Sequence, residues 1–363
     1  MRPFLSLFFV AISCALAPAN ESRRLFDFTP VSAANPVVAT IDGAIEIPLS
    51  ELRAYRHGER LRSSVASPAE KRALLEDLLD QYLLVHETYR TGVALSPRFA
   101  KQMEATRTLI LSDFMATRAQ QEKKPGESGD AAVALADRLF EAATIDISNE
   151  AYDVIKRAAR AIDATNSAPR PGPVLPSPED KAAKLYAIIS AAPEAVAVRY
   201  AGRTLSIHEI LSIYSGLPAR RPDVQTQDGF VALIKPLITP ELMALEAVRR
   251  GIADEPEFQN KLIQNRNALL RFHAQGAIEA RANEILRSPE LSATLQAWYR
   301  EHADAYATPG EKGGVKPADF SAVRERVLAD FSVDLCERFR AEATRDLRKR
   351  HAIAIDDAVL AAL

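Results

Sequence analysis

The sequence offers almost no means of covalent cross-linking. Only two cysteines, Cys14 and Cys336, occur among its 363 residues. If the N-terminal residues that contain Cys14 are removed, as the signal discussed below indicates, one cysteine is left and no disulfide can form within the chain. The fold must then be stabilised by packing of apolar side chains and not by covalent bridges.

Aromatic residues and an excess of either charge are lacking as well. Phe, Trp and Tyr make up 7% of the chain, whereas hydrophobic residues as a whole make up 47%. We therefore expect a folded chain whose core consists mainly of Leu, Ile, Val and Ala. The 46 basic residues are balanced by 48 acidic ones, and this balance does not favour nucleic acid or an anionic membrane surface as a partner.

The N-terminus has the three parts of a secretory signal peptide. Arg2 supplies a positive charge, an apolar run follows from Phe4 to Leu16, and Ala17-Pro18-Ala19 provides small residues for cleavage. The apolar run is too short to cross a membrane, which needs about 20 residues. We predict cleavage after Ala19 and a periplasmic or secreted protein without stable membrane insertion. Lipidation of Cys14 is the alternative.

The chain contains an internal repeat. Leu74 to Leu79 resembles Leu233 to Ile238, and the match continues without a gap to Gly92 and Gly251, at an offset of 159 residues. The spacing Gly-x-x-x-x-Pro-x-Phe is shared by both copies, which makes a chance match between two helical segments an unsatisfactory explanation. A repeat of this length indicates two related modules.

Each copy predicts the same order of elements. A short strand ends at Gly43 or Gly202, a short helix follows, and a long helix is stopped by a glycine. In the first copy, Ser67-Pro68-Ala69-Glu70 predicts a capping box at the start of the long helix. In the second copy, Pro236 and Pro240 fall inside the corresponding helix, so we expect that helix to restart at Thr239-Pro240.

The end of the chain predicts a helix and a strand. An amphipathic helix runs from Asp319 to about Arg350, and its apolar stripe should pack on the same module as the strand that follows it. The alternating run Ala352 to Ile355 should form a strand that pairs near Val37 to Ile41 or near Ala197 to Tyr200, although a frayed terminus is the alternative. The stripe consists of Val323, Val327, Phe331 and Leu335.

These observations predict a mainly α fold of two helical modules with short β-strands, and a long C-terminal helix and terminal strand that pack back. The predicted segments are a signal peptide at 1–19, a first module at 20–165, a Pro-rich linker at 166–193, a second module at 194–307, a loop at 308–318, and the C-terminal helix and strand at 319–363.

The pattern of motifs resembles the SurA-like and PpiC-type periplasmic foldases, which are peptidyl-prolyl isomerases. The motifs are the strand Val38 to Gly43, the Glu51-Leu52 pair, the helix end from Glu87 to Val93 and the Pro97-x-Phe99 start of the next helix. They resemble the chaperone module of that family, here in two copies. The tract from Leu295 to Tyr306 resembles the entry to the parvulin domain, which the resemblance implies is missing because Pro309 to Pro317 takes its place.

No motif predicts an enzyme, a metal site or a cofactor. His86-Glu87 lacks the second histidine of a zinc motif, and Gly310 to Gly314 is too short for a phosphate-binding loop. Cys336 lies in the amphipathic helix without a nearby histidine, and this favours a packing role over a nucleophilic one. An enzyme with an unrecognised site is a third hypothesis.

The preferred prediction is a non-catalytic chaperone that binds unfolded or partly folded exported polypeptides. The alternative is a scaffold that holds one specific partner or a second copy of itself, as in a homodimer. Aromatic side chains could line a groove for apolar client segments, or they could belong mostly to the core. The candidate client-binding residues are Tyr82, Phe114, Tyr214, Phe272, Trp298, Tyr299 and Tyr306.

Overall fold

The computed structural model describes residues 34–58, 67–123, 128–167, 178–217, 221–309 and 315–363. Helices dominate these residues, which confirms the mainly α fold class. The predicted signal peptide, the lipidation candidate Cys14, residues 168–177 of the predicted linker and residues 310–314 of the predicted loop lie outside the described residues.

Twelve helices and eight short strands follow one another in the described parts of the chain. The helices are α1 Leu49–Gly58, α2 Pro68–Arg90, α3 Pro97–Gln121, α4 Ala131–Ala142, α5 Asn149–Ser167, α6 Pro178–Ser190, α7 Ile207–Gly216, α8 Gln227–Arg249, α9 Pro256–Leu286, α10 Leu291–Glu301, α11 Phe320–Arg350 and α12 Asp357–Ala361. The strands are β1 Val37–Ile41, β2 Ile45–Pro48, β3 Ile145–Ile147, β4 Val196–Tyr200, β5 Arg203–Ser206, β6 Ala307–Pro309, β7 Val315–Pro317 and β8 Ile353–Ile355.

The chain folds into two compact units. Unit 1 combines the described residues up to Met103 with Asn260–Leu363, and unit 2 consists of Glu104–Gln259. Both boundaries fall inside long helices, α3 and α9, which therefore belong partly to each unit. Each unit contains residues from both of the consecutive modules predicted at 20–165 and 194–307.

The predicted helix ends are confirmed. Ser67 accepts a hydrogen bond from the backbone N–H of Glu70, and the Glu70 carboxylate accepts one from the backbone N–H of Ser67, which is a complete capping box. Beyond the ends of α2 and α8, Gly92 and Gly251 have φ values of 81° and 78°. Because this left-handed conformation is strained for other residues, glycine ends both helices in the same way.

The three-stranded sheet of unit 1 confirms that the end of the chain pairs back. Its strand order is β2-β1-β8, with Thr40 opposite Ala354 and Ile41 opposite Ile353 in the antiparallel pair. The apolar side of β1 packs on the buried face of α2, so one continuous core joins the sheet to the long helix. The members of that face are Leu74, Leu75, Leu78, Leu79, Tyr82, Leu83 and Val85.

Unit 2 contains the corresponding sheet, with the order β3-β4-β5. Its core includes Val198 and Tyr200 of β4, Ile210 of α7, and Phe230 and Ile234 of α8. Helices α5 and α6, which precede β4 in the chain, pack on the same core through partly and fully buried aliphatic side chains. The two repeats therefore build the same hairpin, short helix and long helix.

Each sheet is completed by a strand that follows the other repeat in the chain. Strand β3 comes after the first repeat but pairs with β4 of the second, and β8 comes after the second repeat but pairs with β1 of the first. We call Leu139–Ser148 and Leu347–Asp356 the first and second closing segments. The first closing segment thus completes the sheet of unit 2, and the second completes the sheet of unit 1.

The C-terminal helix packs differently from the prediction. Val327, Phe331 and Leu335 of α11 are buried in a separate cluster of unit 1, with Leu295 and Tyr306, and not on the core around β1. Only the end of α11 reaches the β1 core, through Leu347. Where a loop was expected at 308–318, strands β6 and β7 form a short antiparallel pair.

The expected break in the second long helix is wrong. Helix α8 continues from Gln227 to Arg249 with Pro236 and Pro240 inside it. The Thr239 hydroxyl donates a 2.7 Å hydrogen bond to the carbonyl of Lys235 in this region. Buried side chains on both sides of the prolines anchor the helix, so tertiary packing offsets the lost backbone hydrogen bonds.

Candidate functional site

Three of the seven candidate aromatic residues lie in the core. Tyr82, Tyr214 and Tyr306 are 7%, 3% and 2% exposed. The Tyr214 and Tyr306 hydroxyls donate 2.7 Å hydrogen bonds to Asp163 and Asp330. Burial, and next to it these carboxylate partners, raise the pKa of both tyrosines to about 12. These rings therefore support packing and stay protonated at physiological pH.

Trp298, Tyr299 and Tyr306 come together in unit 1. Tyr306 lies 6.2 Å from Trp298 and 5.7 Å from Tyr299, measured between ring centroids. Trp298 also stacks on His302 at 4.1 Å, and the Tyr299 hydroxyl donates to the carbonyl of Ala318. The three residues belong to the cluster between α10 and α11, together with Phe320, Phe331 and Phe339.

The remaining two candidates lie apart from that cluster. Phe114 is partly buried and packs edge-to-face on Phe258 at 5.9 Å, inside unit 2. Phe272 belongs to the unit 1 part of α9 and is 64% exposed. Among the seven, Phe272 alone presents most of its ring to solvent, and the seven residues do not form a single site.

Exposed aliphatic side chains in unit 2 were not identified from the sequence. Leu109 of α3 is 63% exposed, and Leu245 and Val248 of α8 are 38% and 44% exposed. Leu245 and Val248 lie three residues apart and therefore on one face of the helix. A comparison of the two repeats could have singled out Leu245 and Val248, because they stand where the first repeat has His86 and Tyr89.

Ion pairs connect the two helices that carry these residues. Arg203 lies 3.3 Å from both Glu104 of α3 and Glu241 of α8. Just after the C-termini of the two helices, Arg250 lies 2.9 Å from Glu122. We call Leu109, Leu245 and Val248 the unit 2 apolar residues. They lie on two helices that these ion pairs link.

A cluster of titratable groups surrounds the second closing segment. Nδ1 of His351 donates a 2.6 Å hydrogen bond to the Asp42 carboxylate, which also accepts one of 2.8 Å from the backbone N–H of Ala352. Burial alone would raise the pKa of Asp42, but these two hydrogen bonds outweigh it and hold the pKa below its usual range. The ring of His86 packs edge-on against His351 at 5.4 Å.

A second charged cluster fixes the same segment to α2. The Arg348 guanidinium donates to the carboxylates of Glu76 and Asp80 and, at 2.8 Å, to the carbonyl of Glu76. In unit 2 the corresponding positions hold Phe140 and Lys235, whose ammonium lies 5.4 Å from the ring centroid. One contact site is thus kept in both units, with an ion pair in one and a cation–π contact in the other.

Two shallow pockets flank the second closing segment, and both have charged linings. One has a volume of about 290 Å³ beside β8, and the other has a volume of about 400 Å³ beside α11. Acidic and basic side chains line both, so neither is a site of one charge. The first is lined by Arg72, Glu76, Arg348, Ile353, Ile355 and Asp357.

The part of the chain that the structure describes contains no group of three or more His, Cys, Asp and Glu side chains placed to hold a metal ion. Cys336 is partly buried as a free thiol on α11. Among the same residues, no helix has the length and apolar character that crossing a bilayer requires.

Comparisons with protein-family models, with curated proteins and with solved structures find no match to this chain.

Proposed function

We propose that the chain is a non-catalytic chaperone of the periplasm that binds unfolded or partly folded exported polypeptides. The observation that carries the proposal is the exposure of large apolar side chains on long helices, with Leu109, Leu245 and Val248 in unit 2 and Phe272 in unit 1. Such side chains make contacts that do not depend on a particular client sequence, and this is the property that a general chaperone needs.

Further support comes from the sequence. The N-terminal signal favours export, and the repeated motifs resemble the chaperone module of the SurA-like and PpiC-type foldases. The sequence has no recognised nucleophile, metal-binding or phosphate-binding motif, so binding is a simpler function for this chain than catalysis. We propose the family relationship as well, on the residues from Val38 to Phe99 and from Leu295 to Ile355.

The test is suppression of aggregation of two unrelated proteins that are diluted from denaturant. We expect the wild-type chain to keep both in solution. A variant with Leu109→Ser, Leu245→Ser and Val248→Ser should lose most of this effect. Its melting temperature should stay close to that of the wild type, because each of the three side chains is at least 38% exposed. The matched control is Leu95→Ser with Val333→Ser, which removes two exposed apolar side chains from unit 1.

Two results would contradict the proposal. If the wild-type chain suppresses neither aggregation reaction, the chain is not a general chaperone and the scaffold alternative gains support. If the triple variant is as active as the control variant, clients bind elsewhere. A protease-coupled peptide assay tests whether the resemblance to isomerases extends to activity. We expect no acceleration of prolyl isomerisation over background.

Export is tested by the intact mass of the protein recovered from the periplasm. Cleavage after Ala19 gives a mature chain that begins at Asn20. A mass that corresponds to a lipidated Cys14 would instead place the protein at a membrane surface.

A further inference from the structure

The two closing segments are equivalent residue by residue. Ile353 to Ile355 pairs with Ile41 to Ala39, and Ile145 to Ile147 pairs with Tyr200 to Val198. The closing segments are offset by 208 residues and the strands that they join by 159 residues. The register of the two strand pairs is therefore identical.

The equivalence extends beyond the strands. After β8, the backbone N–H of Asp356 donates to the carbonyl of Val38 at 3.0 Å, and after β3 the N–H of Ser148 donates to the carbonyl of Ala197 at 2.9 Å. Before the strands, Leu347 is buried in the core of unit 1 and Leu139 packs on the core of unit 2. Each sheet edge thus accepts one type of segment, in which Ile-x-Ile is preceded by a leucine-bearing helix and followed by a helix cap.

The exchange of closing segments follows from the order of elements along the chain. After the first repeat the chain enters α3, whose 25 residues carry it roughly 37 Å at 1.5 Å per residue. The first closing segment comes after this helix and pairs with β4, a strand that lies beyond it in the sequence. The long helix α9 has the same position after the second repeat. Neither repeat is closed by the segment that follows it.

We propose that the partner which these sheet edges fit is a second copy of this chain. In the exchanged dimer, residues 34–167 of one copy pair with residues 178–363 of the other, so that both units are built from two chains. Every contact within a unit is kept, and the balance between monomer and dimer is therefore set by protein concentration and not by a new surface.

The edge of β1 that β8 covers can be completed by a closing segment from either chain. Without β8, the backbone N–H and C=O groups along one side of β1 would have no strand partner, and such an edge pairs readily with another strand. The same holds for β4 without β3. A copy that is refolding beside another can satisfy either edge from its neighbour, because the two copies carry identical closing segments.

The test uses the full chain with Cys14→Ser and Cys336→Ser, and single cysteines placed across each strand pair. The Cα atoms of directly opposite residues in a hydrogen-bonded antiparallel pair lie about 5.5 Å apart, which is within the range of Cα–Cα distances that a disulfide spans. Thr40→Cys and Ala354→Cys report on unit 1, and Asp146→Cys and Arg199→Cys report on unit 2. The two cysteines of a pair are placed in different copies of the chain. The two copies are mixed in denaturant, refolded together at high or low concentration, and then oxidised.

We expect covalent dimers from both pairs, in a fraction that rises with refolding concentration, and dimers in light scattering of the uncross-linked chain. The control replaces Ala354→Cys with Val333→Cys, an exposed position on α11 that does not face β1, and should give background cross-linking. A chain that carries both Thr40→Cys and Ala354→Cys should close within itself after dilute refolding.

Three results would overturn the proposal. The first is monomer at every concentration while the double-cysteine chain closes within itself. The second is cross-linking no stronger than with the Val333→Cys control. The third is an interchain disulfide in one unit only, because exchange of halves moves both strand pairs together. These outcomes do not depend on client binding, so the proposed function and this inference can fail separately.

Discussion

Nδ1 of His351 lies 2.6 Å from Oδ2 of Asp42, although 309 residues separate them in the chain. The contact joins the second closing segment to the turn after β1, where Asp42 adopts a left-handed φ of 53°. The backbone N–H of Asp42 also donates to the carbonyl of Ala352 at 2.7 Å. His86 packs on this contact from α2, and its Nδ1 has no hydrogen-bond partner among the described residues.

The position of His86 predicts a loss of stability at mildly acidic pH. Burial lowers the pKa of His86 below 6.5, and the neighbouring His351 lowers it further, against weaker opposite effects of Asp42 and Glu87. Below pH 6.5 the unfolded chain therefore binds a proton at His86 more readily than the folded chain does. Stability should fall as the pH falls from 7.5 towards 5.5, and His86→Gln should reduce that fall.

Melting curves at pH 7.5 and 5.5 check this prediction. The control is His208→Gln in unit 2, where the His208 ring contacts the carbonyl of Ala192, and it should not alter the pH dependence that His86 causes. An equal drop in melting temperature in wild type and His86→Gln would mean that other groups cause the acid sensitivity.

The charge cluster around Arg348 predicts a compensating pair of mutations. Arg348→Phe leaves the partly buried carboxylates of Glu76 and Asp80 without their main cation, and should cost about 1–3 kcal/mol of unfolding free energy. Adding Glu76→Lys creates the cation–π pair that unit 2 forms with Phe140 and Lys235. The double variant should therefore regain at least half of the loss.

A urea-unfolding cycle of wild type, both single variants and the double variant measures the coupling. If the losses of unfolding free energy in Arg348→Phe and Glu76→Lys simply add in the double variant, the cation–π pair of unit 2 cannot replace the ion pair of unit 1.

The prolines of α8 predict that the helix can be stabilised. Pro236 is exposed inside the helix and cannot donate the backbone hydrogen bond of an ordinary residue. Pro236→Ala should therefore raise the unfolding free energy by about 1–3 kcal/mol, as judged from urea denaturation. Lys235→Ala, next to it, is the control and should not stabilise, since it removes the contacts with Asp137 and Phe140. Lower stability of Pro236→Ala would show that the proline shapes the packing of the helix.

Much of the local fold could be predicted because its causes are local. The Ser67 capping box, the glycine stop at Gly92 and the strand pattern at Ile353 to Ile355 each depend on a few neighbouring residues. The choice of sheet that the last strand joins could not be predicted, because β1 and β4 present similar edges. The Ile145 to Ile147 strand was missed because three residues between two helices carry little periodic signal.

The candidate site was harder to predict, since residue type does not determine exposure. Tyr82 follows Leu75 and Leu79 on the buried face of α2, and helical spacing could have assigned it to the core. Phe272 has no such relation to a buried stripe and is exposed. The exposed Leu245 and Val248 stand where the first repeat has His86 and Tyr89, so a comparison of the two copies carries more information than either copy does alone.

The last prediction concerns removal of the end of the chain. Truncation after Arg348 deletes β8 and α12, and with them Leu360, which is 5% exposed, and the partly buried Ile353 and Ile355. It also removes the 2.7 Å hydrogen bond from Nζ of Lys71 to the carbonyl of Ala361.

The truncated chain exposes one edge of β1 and part of the core of unit 1, so we expect a loss of a few kcal/mol and a melting temperature lower by several degrees. A matched pair of full-length variants separates the contribution of the strand. Ile353→Ala with Ile355→Ala should lower the melting temperature in the same direction, because each change removes apolar contacts with the unit 1 core. Ala354→Ser, on the exposed side of β8, should leave it almost unchanged. A melting curve that truncation does not alter would mean that the sheet of unit 1 is stable without its third strand, and that capture of the closing segment contributes nothing to the fold.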